Sequence, residues 1–406
     1  MSLTRRMILA ATAATVLLSP AAWAQEPSPK DWNAVLAAAK GQTVYWHAWA
    51  GEQRINDYIA WVGKQTEAKY GVKIEHVKLS DTAEAVSKVV AEKAAGRVSG
   101  GTVDLIWING PNFARMKEAS LLFGPWAEDV PNFKFVDVEG KPAVRSDFTV
   151  PTEGLEAPWN MAQIVFFYDS ARVKAPPKSA QALLQWAEAN PGRFAFPDPT
   201  NFLGATFLKQ VLTEVAADKA VLQKPATDAN FDAVTAPLWA YLDKLTPKLW
   251  RAGKAYPKNS ADLRRLLGDG EIEIGLSFNP AEASAAIARK EIPDTVRTLV
   301  FDGGTIGNAS FIAIPFNAAN KAGAMVVADY LMSPEAQLKK QDPKGYGGFT
   351  VLAMNKLSPE DRAAFANLKR GPATLSTEEL GAHLPEPHPS WMTRATEAWK
   401  KKYSVQ

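Results

Sequence analysis

Thr43-Val-Tyr-Trp-His-Ala-Trp49, Val72-Lys-Ile-Glu-His-Val77 and Val103-Asp-Leu-Ile-Trp-Ile108 are three short runs rich in β-branched and aromatic residues. Each reads as a strand, and each is followed by helical spacing. Ile55 to Tyr70 keeps an apolar stripe until Gly71 stops it. Asp81-Thr-Ala-Glu84 has the spacing of a capping box, opening a helix whose Val86, Val89, Val90 and Ala94 share one face and which ends at Gly96. Pro111 opens a third helix, with Gly124 beyond its end. Strand and helix alternating three times imply a parallel sheet covered on both faces.

Working outward, Asp31 to Lys40 reads as a short helix before the first strand. A second unit begins near Pro158. Its expected strands are Ile164 to Tyr168, Phe194 to Phe196, Glu271 to Phe278 and a return at Thr298 to Phe301. Its expected helices are Ala180 to Ala189, Phe202 to Val215, Phe231 to Leu245, Ser260 to Leu267 and Ala281 to Arg289. Ser310 to Pro315 is a further strand, and the remainder to Gln406 is largely helical with Pro-rich connectors.

The amino terminus has the pattern of an export signal. Arg5 and Arg6 precede the apolar run Met7 to Leu18, and Ala22-Trp23-Ala24 is a small-x-small cleavage pattern. Residues 1–24 are expected to be removed, leaving the protein free in the periplasm. The run is too short to span a bilayer of about 30 Å. Cysteine is absent, so there is neither a disulfide framework nor a thiol for a lipid. At roughly 380 residues after cleavage the chain exceeds what one core supports, so two domains are expected. The formal charge of +3 falls to +1 without Arg5 and Arg6. That balance excludes a nucleic-acid binder, which concentrates basic residues on one face.

Four features taken in order resemble a known family: the export signal, Val103-Asp-Leu-Ile-Trp-Ile-Asn-Gly110, Pro158-Trp-Asn160 leading into Ile164 to Asp169, and Tyr330-Leu-Met-Ser-Pro-Glu-Ala-Gln337. The chain resembles the extracellular solute-binding proteins, family 1, of bacterial ABC importers, in a branch near the polyamine and thiamine binders. The resemblance implies an α/β, two-lobed type II periplasmic-binding-protein fold. Two mixed, mainly parallel sheets would be joined by two crossing strands, near Trp159 to Val165 and Thr305 to Ala313. Lobe 1 is then 25–158 with 306–406, and lobe 2 is 159–305. It further implies a monomer that delivers a small solute to an inner-membrane permease.

Ligands of open parallel sheets sit beyond the carboxyl ends of the strands, beside helix amino termini. Candidates follow from that position. Trp46 and Trp49 end the first strand on opposite faces, so at most one wall of a cleft comes from them, and Trp49 is nearer the loop; core filling is the alternative for both. Asn109 and Gly110 end the third strand, as ligand contacts or as a plain helix cap. Trp159, Asn160, Asn308 and Ser310 lie at the crossings. Asp198, in a Pro-Asp-Pro turn, is either a partner for a ligand cation or a turn former. Asn279 and Glu282 have capping-box spacing, with capping the simpler role for Glu282.

Catalysis and cofactors find no support. There are four His and none in an H-E-x-x-H pattern; His383 and His388 flank Leu-Pro-Glu-Pro in a connector. No G-x-S-x-G, P-loop or G-x-G-x-x-G occurs. No enzyme, metal or cofactor is expected. The favoured ligand is a small cationic or aromatic organic solute, thiamine- or polyamine-like, bound by hinge closure. An oxyanion receptor, or an enzyme on a two-lobed scaffold, are the competing readings.

Overall fold

A computed structural model describes residues 27–376, 378–381 and 383–403. The expected export signal lies outside them. Strands β1 (Thr43–Trp49), β2 (Lys73–Leu79) and β3 (Leu105–Ile108) alternate with helices Gln53–Tyr70, Ala83–Ala94 and Pro111–Glu118. The local signals act as their chemistry requires. Gly71 takes φ 70° and donates its N–H to the Glu67 carbonyl, while the Val72 N–H reaches the Thr66 carbonyl, ending the helix. Glu84 Oε1 accepts from the Ser80 and Asp81 amides, the reach-back half of a capping box.

The chain continues through a ribbon of β4 (Ser146–Asp147) and β5 (Val150–Pro151), then β6 (Glu156–Gln163), β7 (Val165–Asp169), β8 (Ile274–Ser277), β9 (Val296–Leu299), β10 (Thr305–Ala313) and β11 (His383–Leu384). One sheet runs β11-β10-β3-β1-β2, with β6 also on β10; the other runs β8-β7-β9. β1 is parallel to β2 and β3, whereas β10 is antiparallel to β3 and β6. The second sheet departs from the mainly parallel expectation, since β7 is antiparallel to both its neighbours. The expected strand Phe194 to Phe196 is reduced to one bridge, Phe194 with Ile274, and Pro197, which has no N–H to give a ladder, follows at once.

Two apolar cores result. The first gathers Trp46, Ile106, Trp159 and Phe311, and the second Phe166, Phe207, Leu242 and Leu276. β6 and β10 pass between them side by side: Asn308 pairs with Ala162 and Ser310 with Asn160. Along β10, Ile306 belongs to the second core and Ala309 to the first. Every residue of both strands is buried.

A third passage corrects the expectation that 306–406 belongs wholly to lobe 1. β11 lies parallel on Thr305 and Ile306, and Gln163 donates to the Leu380 carbonyl. Beyond it, helix Pro389–Tyr403 places Trp391 and Trp399 in the second core. Rings of this size bury roughly 150–250 Å² each. That burial holds the carboxyl-terminal helix on the second lobe. Among the described residues no helix is long and apolar enough to cross a membrane.

Candidate functional site

The first lobe presents the carboxyl ends of β1 and β3 to the second. Trp49 is half-buried and stands edge-on to Trp107, with centroids 6.4 Å apart. Its indole covers Gly51 so closely that any Cβ there would collide with the ring. At β3, Gly110 adopts φ 56°, ψ −122° ahead of Pro111 and donates its N–H to Asp147 Oδ2 at 2.7 Å. Asn109 donates its side-chain amide to the Ala309 carbonyl at 2.7 Å. The polar groups expected to meet a ligand here thus meet the chain itself.

From the second lobe, Asp198 closes a turn, its Oδ1 accepting from the Thr200 amide at 2.7 Å. Asn279 accepts from the Ala281 amide and donates to the Tyr346 carbonyl at 3.2 Å, linking the two lobes. Glu282 is not the helix cap that its spacing suggests; Ala281 holds that position. Instead Glu282 is buried against the Arg264 guanidinium and the Ser277 hydroxyl. Arg264 also meets Glu52 Oε2 of the first lobe at 2.9 Å and Glu291 at 3.3 Å. Burial works against the Arg264 charge, but Glu282 and Glu52 outweigh it and hold the guanidinium's pKa above its ordinary value. Arg54 completes the bridge, donating to Glu52 at 3.3 Å and to the Tyr346 carbonyl at 3.4 Å.

A second interlobe cluster lies beside the crossing strands. Lys209, on helix Phe202–Val215, is 1% exposed and donates to Glu386 Oε2 at 2.6 Å. Its ammonium stands 4.1 Å from the Phe148 ring centre and 5.0 Å from that of Phe202. Asn308 donates to the other Glu386 oxygen at 2.9 Å. Burial pushes the Asp147 carboxyl well above the usual range; the Gly110 amide opposes this and the Glu386 charge adds to it. Burial likewise raises Glu386 against the pull of Lys209, and lowers Lys209 against the pull of Glu386. A cavity of about 1070 Å³ opens alongside, lined by Lys141, Phe148, Gln163, Asn308, Phe349 and Glu386 among others.

Of the residues singled out from sequence, Asn308 reaches this cavity. Trp46 and Trp159 do not; both are fully buried in the first core, edge to face at 5.7 Å, with Tyr58 stacked on Trp159. Their expected ligand-facing role is therefore corrected to packing. Asn160 and Ser310 are cross-strand neighbours at the crossing. Asp147, Phe148, Lys209, Arg264 and Glu386 were not anticipated. One signal was readable for Lys209: Lys209-Gln210 stands between the apolar pairs Phe207-Leu208 and Val211-Leu212, and such a charge is buried only with a partner.

The description of the bacterial extracellular solute-binding proteins matches residues 60–361. Protein YnjB of Escherichia coli (strain K12) is 43% identical over 375 residues, covering 92% of this chain and 94% of the relative. Among solved structures, the periplasmic binding protein AfuA from Actinobacillus pleuropneumoniae, with fructose-6-phosphate bound, superimposes with a TM-score of 0.62 at 15% identity, covering 90% of this chain and 99% of that one. A putative spermidine/putrescine ABC transporter protein from Listeria monocytogenes gives 0.60 at 16% identity, covering 89% and 99%. At such identities the structures establish the two-lobed fold alone. Matching over most of its length, the chain belongs to the bacterial extracellular solute-binding proteins, the non-enzymatic substrate-binding components of ABC transporters.

Proposed function

We propose that this protein works as a monomer in the periplasm, captures a small cationic or aromatic organic solute, thiamine- or polyamine-like, and hands it to an inner-membrane permease. Capture occurs between the lobes, which close about Gln163–Val165 and Phe301–Thr305. The observation that carries the ligand class is the excess of carboxylate beside the cavity. Asp147 and Glu386 are both buried and face one ammonium, Lys209, and Asp147 Oδ1 has no hydrogen-bond partner among the described residues. A buried carboxylate in that state favours a cation brought by the ligand. Phe148, Phe202 and Phe278 supply ring faces nearby, Phe202 lying 6.1 Å from Phe148 and 5.4 Å from Phe278. Asn308 lines the cavity, and Trp49 adds a further half-buried ring to the wall in this reading. Spermidine and putrescine, in the names of two proteins with this fold, belong to the same chemical class.

Thermal unfolding against thiamine, putrescine, spermidine, phosphate and a sugar phosphate tests the class. A ligand at 100 times its dissociation constant stabilises by about 2.7 kcal/mol, well within detection. Stabilisation by one of the cations is expected. Stabilisation by the oxyanions alone would replace this reading with an oxyanion receptor.

A further inference from the structure

Lys209 is held as a bound cation would be. Its ammonium has one hydrogen-bond acceptor among the described residues, Glu386 Oε2, and otherwise faces the rings of Phe148 and Phe202. Two rings and a carboxylate around a desolvated ammonium are the composition by which proteins recognise organic cations. The cage is assembled from separate parts of the fold. Phe148 comes from the turn between β4 and β5 in the first lobe, Lys209 and Phe202 from one helix of the second, and Glu386 from the third passage between lobes. Asn308 of β10 fixes Glu386 from its far side.

Another observation points to a ligand at the same place. Asp147, adjacent to Phe148 in the chain, is 1% exposed and leaves Oδ1 without a partner. Its carboxyl is acted on by the Glu386 charge and in turn acts on Lys209. Glu386 and two rings thus surround a position that a single tethered ammonium fills, and the Asp147 carboxyl acts on it from farther off. Glu386, Asn308 and Phe148 also line the cavity, so the cage opens to incoming solute once Lys209 withdraws.

The geometry points to the Lys209 cage as an organic-ammonium subsite whose resident occupant is the chain's own lysine. The inference deepens the cationic-solute reading and rests on it for the identity of the natural occupant. A cationic solute then competes with Lys209, and the tethered ammonium sets a threshold that weakly binding cations do not pass.

The test removes the resident. Lys209→Met leaves the rings and carboxyl groups in place, and Lys209→Gln keeps a donor toward Glu386 should the methionine variant fail to fold. Thermal unfolding is followed in rising ethylammonium chloride against sodium chloride at equal ionic strength. Saturable stabilisation by ethylammonium is expected in the Lys209 variants and not in the wild type. Adding Glu386→Gln to the same variant should abolish it. Whichever cation binds the wild type should bind Lys209→Met about tenfold more tightly, the scale of one desolvated cation–ring contact. Lys209 variants that respond to ethylammonium no more than to sodium would overturn the cage, even if the wild type binds thiamine or a polyamine. A wild type indifferent to every cation, beside variants that take up ethylammonium, would support the cage and overturn the solute reading.

Discussion

Arg264 and Lys209 are both buried cations of the second lobe that meet the first, yet their surroundings differ in kind. Arg264 is surrounded by Glu52, Glu282 and Glu291 and spends its donors on carboxylates from both lobes. Lys209 has one carboxylate and completes its shell with rings. The guanidinium is a planar fork suited to several oxygens at once, whereas the ammonium is a compact charge that a small ligand cation can imitate. The contrast assigns the first cluster to holding the lobes together and the second to recognition.

The largest effect that would break this comparison is on stability. Arg264→Met leaves Glu282 without its cation and Glu52 with Arg54 alone, and removing one partner of a buried pair costs about 3–5 kcal/mol. Denaturant unfolding should show a loss of that order. A loss below about 1 kcal/mol would mean the cluster behaves as an exposed surface pair and holds nothing.

Next come the two tryptophan environments. Trp159→Ala should cost about 3–5 kcal/mol of stability, since its ring is closed in by Trp46, Trp107, Tyr58 and Tyr346. Trp49→Ala should cost less stability and, if the half-buried ring anchors the solute, about 1–3 kcal/mol of binding. Melting and titration of both variants together decide the matter. A large stability loss with unchanged affinity at Trp49 would move that ring into the core as well.

The smallest expected effect is in the acid range, where the two clusters should have opposite signs. Burial raises Asp147, so the folded state keeps a proton that the unfolded chain releases, and this carboxyl's contribution to stability grows as pH falls toward its unfolded value of about 4. Hydrogen bonds from Arg289, aided by the charge of Arg264, lower Glu291. Its contribution is present above its unfolded value of about 4.3 and is lost as pH falls through the depressed folded value. Urea midpoints across this range should therefore lose their acid-side gain in Asp147→Asn and their acid-side loss in Glu291→Gln. An Asp147→Asn profile identical to the wild type would mean the carboxyl is not desolvated as its burial implies.

Elements were legible wherever punctuation and periodicity are local. β1 spans Thr43–Trp49 and helix Phe202–Val215 follows Asn201, whose side chain accepts from the Leu203 amide, both as read from the residues alone. Ala180–Ala189 is likewise opened by Ser179 accepting from the Ala182 amide. Sheet pairing was less legible, because β7, β8 and β9 are short runs whose residues are the same whether a neighbour is parallel or antiparallel. The candidate site was least legible. Glu386 lies between Pro385 and Pro387 in what reads as a connector, and Asp147 and Phe148 sit in a ribbon of two-residue strands with no periodicity.

By itself the amino-acid sequence determined the alternation of strand and helix in the first lobe, the chain's export pattern and the lack of catalytic constellations. Capping, glycine stops and apolar spacing act over a few residues, so their outcome does not wait for the rest of the chain. Only the tertiary structure decided that Trp46 and Trp159 pack into a core, that Glu282 serves Arg264 and not its own helix, and that Glu386 crosses back to meet Lys209, 177 positions earlier. A buried charge is tolerable only beside its partner, and which carboxylate stands there follows from three passages of the chain between the lobes.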